Sequence, residues 1–163
     1  MARVDSSFAW VYSGFCLLVL VLLAGCSRDP QESPEEQIRA LLDTAELAVE
    51  SRSLSDSAEL ISSTYTDAAG RDHQAMKRLL MGYFLRNKSI HVLKQIREIS
   101  LLSDAAARVV LYAGVAGNRP EIVDSLASWR GDLIRLEAEL VLEGSDWHLS
   151  SASWRRASQG DLL

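Results

Sequence analysis

From Asp132 to Glu143 the chain alternates. Ile134, Leu136, Ala138, Leu140 and Leu142 take one parity, and Arg135, Glu137, Glu139 and Glu143 take the other. Successive side chains of a strand point to opposite faces, so such a run buries one face and wets the other. That pattern belongs to an antiparallel sheet covered on one side, because parallel sheets read as continuous apolar runs. The stretch therefore demands partner strands beside it and an apolar layer over its even-numbered face.

The layer lies upstream. Ser33-Pro34-Glu35-Glu36 is a helix start: Ser33 caps, Pro34 takes the first helical position, and Glu36 closes a capping box. Ile38, Leu41, Leu42, Ala45, Ala48 and Val49 then recur at helical spacing, with Arg39, Asp43, Glu46 and Glu50 opposite, to about Ser51. Ser53 caps a second, shorter helix with Asp56 near its positive end and Leu54, Ala58 and Ile61 inward, running out around Ser62-Ser63. Tyr65 to Gly70 reads as a loop or short extended segment. Asp72 caps a third helix with the stripe Met76, Leu79, Leu80 and Tyr83, ending near Asn87-Lys88.

Beyond Lys88 the period changes. Ile90–Leu102 and Ala107–Ala116 read as strands, the first with bulges expected where Val92-Leu93 and Leu101-Leu102 double up. Gly117-Asn118-Arg119-Pro120 breaks the second strand, and Glu121–Ser128 reads as a short helix or an irregular crossover. Gly144-Ser145-Asp146 turns the chain into a last strand, Trp147–Arg155. The expectation is an α+β domain: three N-terminal helices packed on a curved antiparallel sheet of about four strands.

The first 25 residues have a different design. Arg3 and the amino terminus give a positive start weakened by Asp5, and an apolar run from Phe15 to Leu22 leads to small Ala24 and Gly25. An uncleaved membrane anchor is the alternative, since Phe8–Leu23 is largely apolar and a bilayer takes about 20 such residues. The switch to Ser27-Arg28-Asp29-Pro30 favours cleavage. Leu23-Ala24-Gly25-Cys26 resembles the lipobox of bacterial lipoproteins. The resemblance implies cleavage between Gly25 and Cys26, acylation of Cys26, and attachment to the membrane through N-terminal acyl chains. Each buried methylene contributes about 0.8 kcal/mol, so several chains anchor firmly where one holds marginally. By the enterobacterial sorting pattern, Ser27 in place of aspartate permits transfer to the outer membrane, on the periplasmic side of the envelope. Residues 26–34 would be the lipidated tether, 35–157 the folded domain and 158–163 a tail.

Removal of residues 1–25 leaves 138 residues, enough for one domain, and takes one Arg and one Asp, so the net charge stays at −5. An acidic chain is a poor ligand for phosphate backbones, so nucleic acid is not an expected partner. Cys16 leaves with the signal and Cys26 carries lipid, so no thiol remains for a disulfide, a metal or a nucleophile. His73, His91 and His148 share no ligand spacing, so no metal or other cofactor is expected. No Gly-x-Ser-x-Gly elbow and no Gly-rich phosphate loop occurs. Trp129, Trp147 and Trp154 read either as an aromatic ligand wall or, more readily at strand spacing, as sheet packing.

The order of elements, with the Ile38–Val49 helix, the Tyr65-Thr66-Asp67 step, Tyr83-Phe84, the hairpin Gly144-Ser145-Asp146-Trp147 and the closing Ala152-Ser153-Trp154, resembles the nuclear transport factor 2-like fold, which includes SnoaL-like and ketosteroid isomerase-like proteins. The resemblance spans about Glu35–Ala157 and implies a cone with an interior. An enzyme of this kind would need a carboxylate base and a neutral donor inside the cone. The even face of Asp132–Glu143 holds no acid, which leaves Tyr65 and Asp67 as the candidate pair, with Tyr83 and Tyr112 as further candidate pocket residues. The competing reading packs Tyr65 under the helices and lets Asp67 cap its own turn. No residue is named catalytic. The reading is a non-catalytic, lipid-anchored module that binds a small ligand or an envelope protein; the alternative is a SnoaL-like isomerase or hydrolase acting on a small apolar substrate. The wet sheet face is a candidate homodimer surface, although Arg135, Glu137 and Glu139 would place charges in it.

Overall fold

The capping box expected at Ser33 is formed: its hydroxyl accepts from the Glu36 amide and the Glu36 carboxylate accepts from the Ser33 amide. The computed structural model describes residues 32–117, 126 and 132–162. Readings that fall on Met1–Gly25, Cys26, Ser27, Trp129 and the Glu121–Ser128 crossover lie outside those residues, apart from Leu126, which is buried. Among the described residues no helix is long and apolar enough to cross a membrane.

Among the described residues three helices come first. Helix α1 is Pro34–Glu50, α2 is Leu54–Glu59 and α3 is His73–Arg86, with Ser53 and Asp72 capping the latter two through their side chains. Four strands follow: β1 His91–Ser103, β2 Ala106–Ala116, β3 Asp132–Glu143 and β4 Asp146–Arg156, in one antiparallel sheet ordered β1-β2-β3-β4. The α+β expectation holds, helices on one side of an open four-stranded sheet. The β3–β4 turn places Gly144 at φ 69°, a left-handed conformation that a side chain disfavours.

The core lies between α1 and the even face of β3. Ile38 is fully buried against Val109, Leu111, Ala138, Leu140 and Trp147. Register puts Leu111 opposite Leu136 and Val109 opposite Ala138, so these residues share the covered face. Shifts in β1 between Ile96 and Glu98 and between Leu101 and Ser103, and in β4 opposite Glu139 and Leu140, bend the sheet around the helices. The bulge at Leu101-Leu102 was expected. Val92-Leu93 pairs regularly with Val115 and Gly114, so the first bulge lies a turn further on.

Three further differences have physical causes. Helix α2 stops at Glu59, because Ile61 and Ser62 leave the helix to pair with Leu149 on the rim of β4. On α3 the inward residues are Met76, Leu80 and Phe84, four apart, while Leu79 faces out. The odd face is dry at one end, where Tyr112, Leu133 and Leu126 cluster with Ala157 and Leu162. A closing 3₁₀ turn, Gln159–Leu162, folds back there, tied by Asp161, which accepts from Ser158 and Arg155.

Candidate functional site

The helices do not fill the concave face of the sheet. Helix α1 turns Leu41, Leu42, Ala45 and Val49 toward it at helical spacing; α2 and its exit add Ser57, Leu60 and Ile61, and α3 adds Met76 and Leu80. Leu136, Ala138 and Leu140 of β3 and Leu149 of β4 make the floor. These residues line a half-open cavity of about 180 Å³. Two of the lining residues, Ala45 and Ala138, are the ones whose small side chains leave room.

Among the described residues, Ser57 is the one lining residue with a polar side chain. The residue is 6 % exposed. Its amide donates to the Ser53 carbonyl in the helical pattern, and its hydroxyl has no hydrogen-bond partner in the protein. A buried hydroxyl left unpaired costs about 1–3 kcal/mol, which makes such groups rare. The sequence carried a signal for it: Leu54, Ser57, Ala58 and Ile61 fall at helical spacing, so Ser57 belongs to the inward stripe of α2. Leu54, Ala58 and Ile61 account for that stripe without it, so spacing alone does not single Ser57 out.

Tyr65 and Asp67 are brought together, but not at the cavity. The Tyr65 hydroxyl donates to Asp67 Oδ2 at 3.1 Å. The same oxygen accepts from Arg71 Nε at 2.7 Å, and Oδ1 accepts from the amides of Ala69 and Arg71 at 2.9 and 3.0 Å. With the Gly70 amide donating to the Asp67 carbonyl, the carboxylate organises a turn that delivers the chain to the Asp72 cap. Burial alone would raise the Asp67 carboxyl, but the donors from Arg71, Tyr65 and Ala69 outweigh it and hold the group below its ordinary value. Desolvation and the neighbouring Asp67 charge push the Tyr65 phenol up to about 12. A carboxylate with four donors and a phenol with this bias form a structural network. Tyr65 itself packs with Ile61, Met76 and Ala152 under the helices.

The other two tyrosines lie elsewhere. Tyr83, near the end of α3, is half-buried, and burial and the Asp132 charge raise its phenol. Tyr112 pairs with Arg135 and so points to the odd face of the sheet, away from the cavity, into the cluster with Leu126 and Leu133. None of Tyr65, Asp67, Tyr83 and Tyr112 lines the cavity. Nor do Trp147 and Trp154 wall it: Trp147 is buried and donates through Nε1 to Gln37 Oε1, and Trp154 lies under Arg71 on β4. His73 Nε2 faces the Ala58 carbonyl at 3.5 Å and His148 Nδ1 the Asp146 carbonyl at 3.0 Å. Among the described residues no group of three or more His, Cys, Asp or Glu gathers to hold a metal. On the odd sheet face Arg108 pairs with Glu139 and Arg135 with Glu137, so these four charges are matched within the chain.

No protein-family model matches the chain, and no curated protein matches it in sequence. Solved structures do match in fold. A protein of unknown function with a cystatin-like fold from Nostoc punctiforme superposes with a TM-score of 0.62 at 12% identity, over 80% of this chain and 98% of that one. An NTF-2 like protein of unknown function from Shewanella oneidensis gives 0.55 at 15% identity, over 75% and 98%. A ketosteroid isomerase-like protein from Erwinia carotovora atroseptica gives 0.55 at 10% identity, over 75% and 95%. The likeness is one of fold, and fold leaves chemistry to the site.

Proposed function

From a nuclear transport factor 2-like fold, we propose that this chain is a lipid-anchored protein of the bacterial envelope whose domain holds a small apolar molecule without altering it. The cavity supports the binding half: among the described residues that line it, twelve side chains are apolar and the thirteenth is a neutral hydroxyl. General acid–base chemistry needs a titratable group within hydrogen-bond reach of the substrate. Asp67, the carboxylate nearest to such a role in the sequence, is held by four donors in a turn outside the lining. A SnoaL-like isomerase or hydrolase finds no base among the described residues that line the cavity. The anchoring half rests on Leu23-Ala24-Gly25-Cys26, with Ser27 favouring the outer membrane on its periplasmic side.

Two experiments test the halves separately. Toluene titrated into the full chain should bind saturably and raise the melting temperature, and Ala138→Met, which fills the cavity, should abolish both effects. No binding by the wild-type chain would overturn the reading. In cells, Cys26→Ala should block incorporation of labelled palmitate; persistent labelling would defeat the anchor.

A further inference from the structure

We propose that Ser57 is the specificity element of this cavity, and that the natural ligand is a compact, neutral, largely apolar molecule with a single hydroxyl or carbonyl placed to meet its hydroxyl. The proposal rests on the binding reading above and adds the chemistry of the occupant.

Size sets the first limit. A cavity of about 180 Å³ is close to the roughly 150 Å³ apolar cavity that holds benzene, so one ring with a short substituent or an equivalent branched chain fits. Charge sets the second. Side chains such as Leu42, Leu80, Leu140 and Leu149 offer nothing to a carboxylate or an ammonium, whose burial without a partner is strongly unfavourable. Hydrogen bonding sets the third. The Ser57 hydroxyl can donate one bond and accept others, and no protein atom takes them. A water molecule would want two to four polar partners, and one hydroxyl among apolar side chains is a poor host for it. A ligand hydroxyl or carbonyl needs only one, because the rest of that molecule is itself apolar.

The position of Ser57 fits this role. It lies on α2, a six-residue helix that otherwise turns Leu54 and Ala58 inward, with Ile61 just beyond its end, and alanine at that place would serve packing equally well. A site that hydrogen-bonds a polar group discriminates against analogues lacking it, since its own group is then left unpaired.

The test uses the full chain and a matched pair of probes, phenol and toluene, which differ by hydroxyl against methyl, with benzoate as the charged probe. Calorimetric titration of the wild type and of Ser57→Ala gives the four neutral affinities of a cycle. Ser57→Ala should weaken phenol about tenfold relative to toluene, equivalent to about 1.4 kcal/mol. It should leave toluene binding the same or tighter, and benzoate should bind to neither protein. Ser57→Cys, close in size and a weaker donor, should lie between the two. If phenol and toluene bind but the substitution shifts both alike, the role of Ser57 is refuted while the cavity reading stands. Tight benzoate binding would refute the neutral ligand class. If neither neutral probe binds the wild type, the binding reading fails and this inference with it. Melting temperatures of both variants show whether each is folded, and Ser57→Ala, which removes an unpaired group, should melt no lower than the wild type.

Discussion

The guanidinium of Arg71 stands 4.4 Å from the ring centroid of Trp154. Arg71 also donates through Nε to the buried Asp67 carboxylate, so one side chain ties the turn before α3 to strand β4. Its planar fork serves both tasks together, which a lysine ammonium does less well. Arg71→Ala should destabilise the domain by about 2–3 kcal/mol, the sum of a charge-assisted hydrogen bond and a partly exposed cation–π contact. Arg71→Lys should recover less than half of that. Urea denaturation of the three proteins measures both numbers, and toluene affinity should stay unchanged, because Arg71 is not a lining residue.

The Asp67–Tyr65 pair predicts two limbs in the pH dependence of stability. The Asp67 carboxyl is lowered in the fold, so the unfolded chain takes the proton first. Its contribution is complete above the ordinary carboxylate value of 3.8 and is lost as pH falls through the folded value. Asp67→Asn should flatten the acid limb without removing it, since Asp161 and Glu36 are lowered too. Tyr65 behaves oppositely. With its phenol raised from 10.0 to about 12, stability falls as pH rises through that interval, and Tyr65→Phe should remove this part of the alkaline limb. Lys94, raised by its pairing with Asp43 and Glu46 against the opposing effect of burial, should leave a residual slope. Melting temperature against pH for the wild type and both variants tests the assignment.

Helix capping gives a simpler test. Ser33→Ala removes one side of the capping box at α1 and should cost about 1 kcal/mol; Asp72→Ala at α3 should cost a similar amount. Amide exchange should quicken in the first turn of the affected helix, and equal exchange in the variants would contradict the capping roles.

Depth in the core should separate apolar residues that look alike in the sequence. Ile38 is fully buried and Leu85 is 78% exposed. Ile38→Ala should destabilise by about 2–5 kcal/mol through lost contacts and the void left behind. Leu85→Ala should stay within about 0.5 kcal/mol. Equal effects would mean that the packing of α1 on the sheet is wrong.

These contrasts mark how far the sequence could be read. Strand β3, its turn at Gly144 and the caps at Ser33, Ser53 and Asp72 were legible because their causes are local: side-chain alternation, a left-handed position, a hydroxyl or carboxylate next to free amides. The choice of Phe84 over Leu79 on α3 was not, since both lie within one turn of the stripe and the angle of the helix on its neighbours decides between them. Leu133 looks wet by parity and is dry because the turn Gln159–Leu162 returns to cover it, together with Tyr112 of the apolar stripe in β2. The cavity was least legible of all. It depends on the summed volumes of residues from five elements, and no single residue announces a volume deficit.

The sheet order leaves β1 and β4 as outer strands, and each rim is guarded in its own way. At β4 the segment leaving α2 serves as a short surrogate strand: the Leu149 amide donates to the Leu60 carbonyl, and the amides of Ser62 and Thr66 donate to the carbonyls of Leu149 and Ser150. At β1 the Val92 amide is held by the Glu50 carboxylate, and two bulges interrupt the straight run of the backbone. An unguarded, flat rim is a template on which a second chain can add and fibres can grow. With both rims obstructed, the backbone groups that a second copy would need for strand-to-strand addition are partly taken at each border.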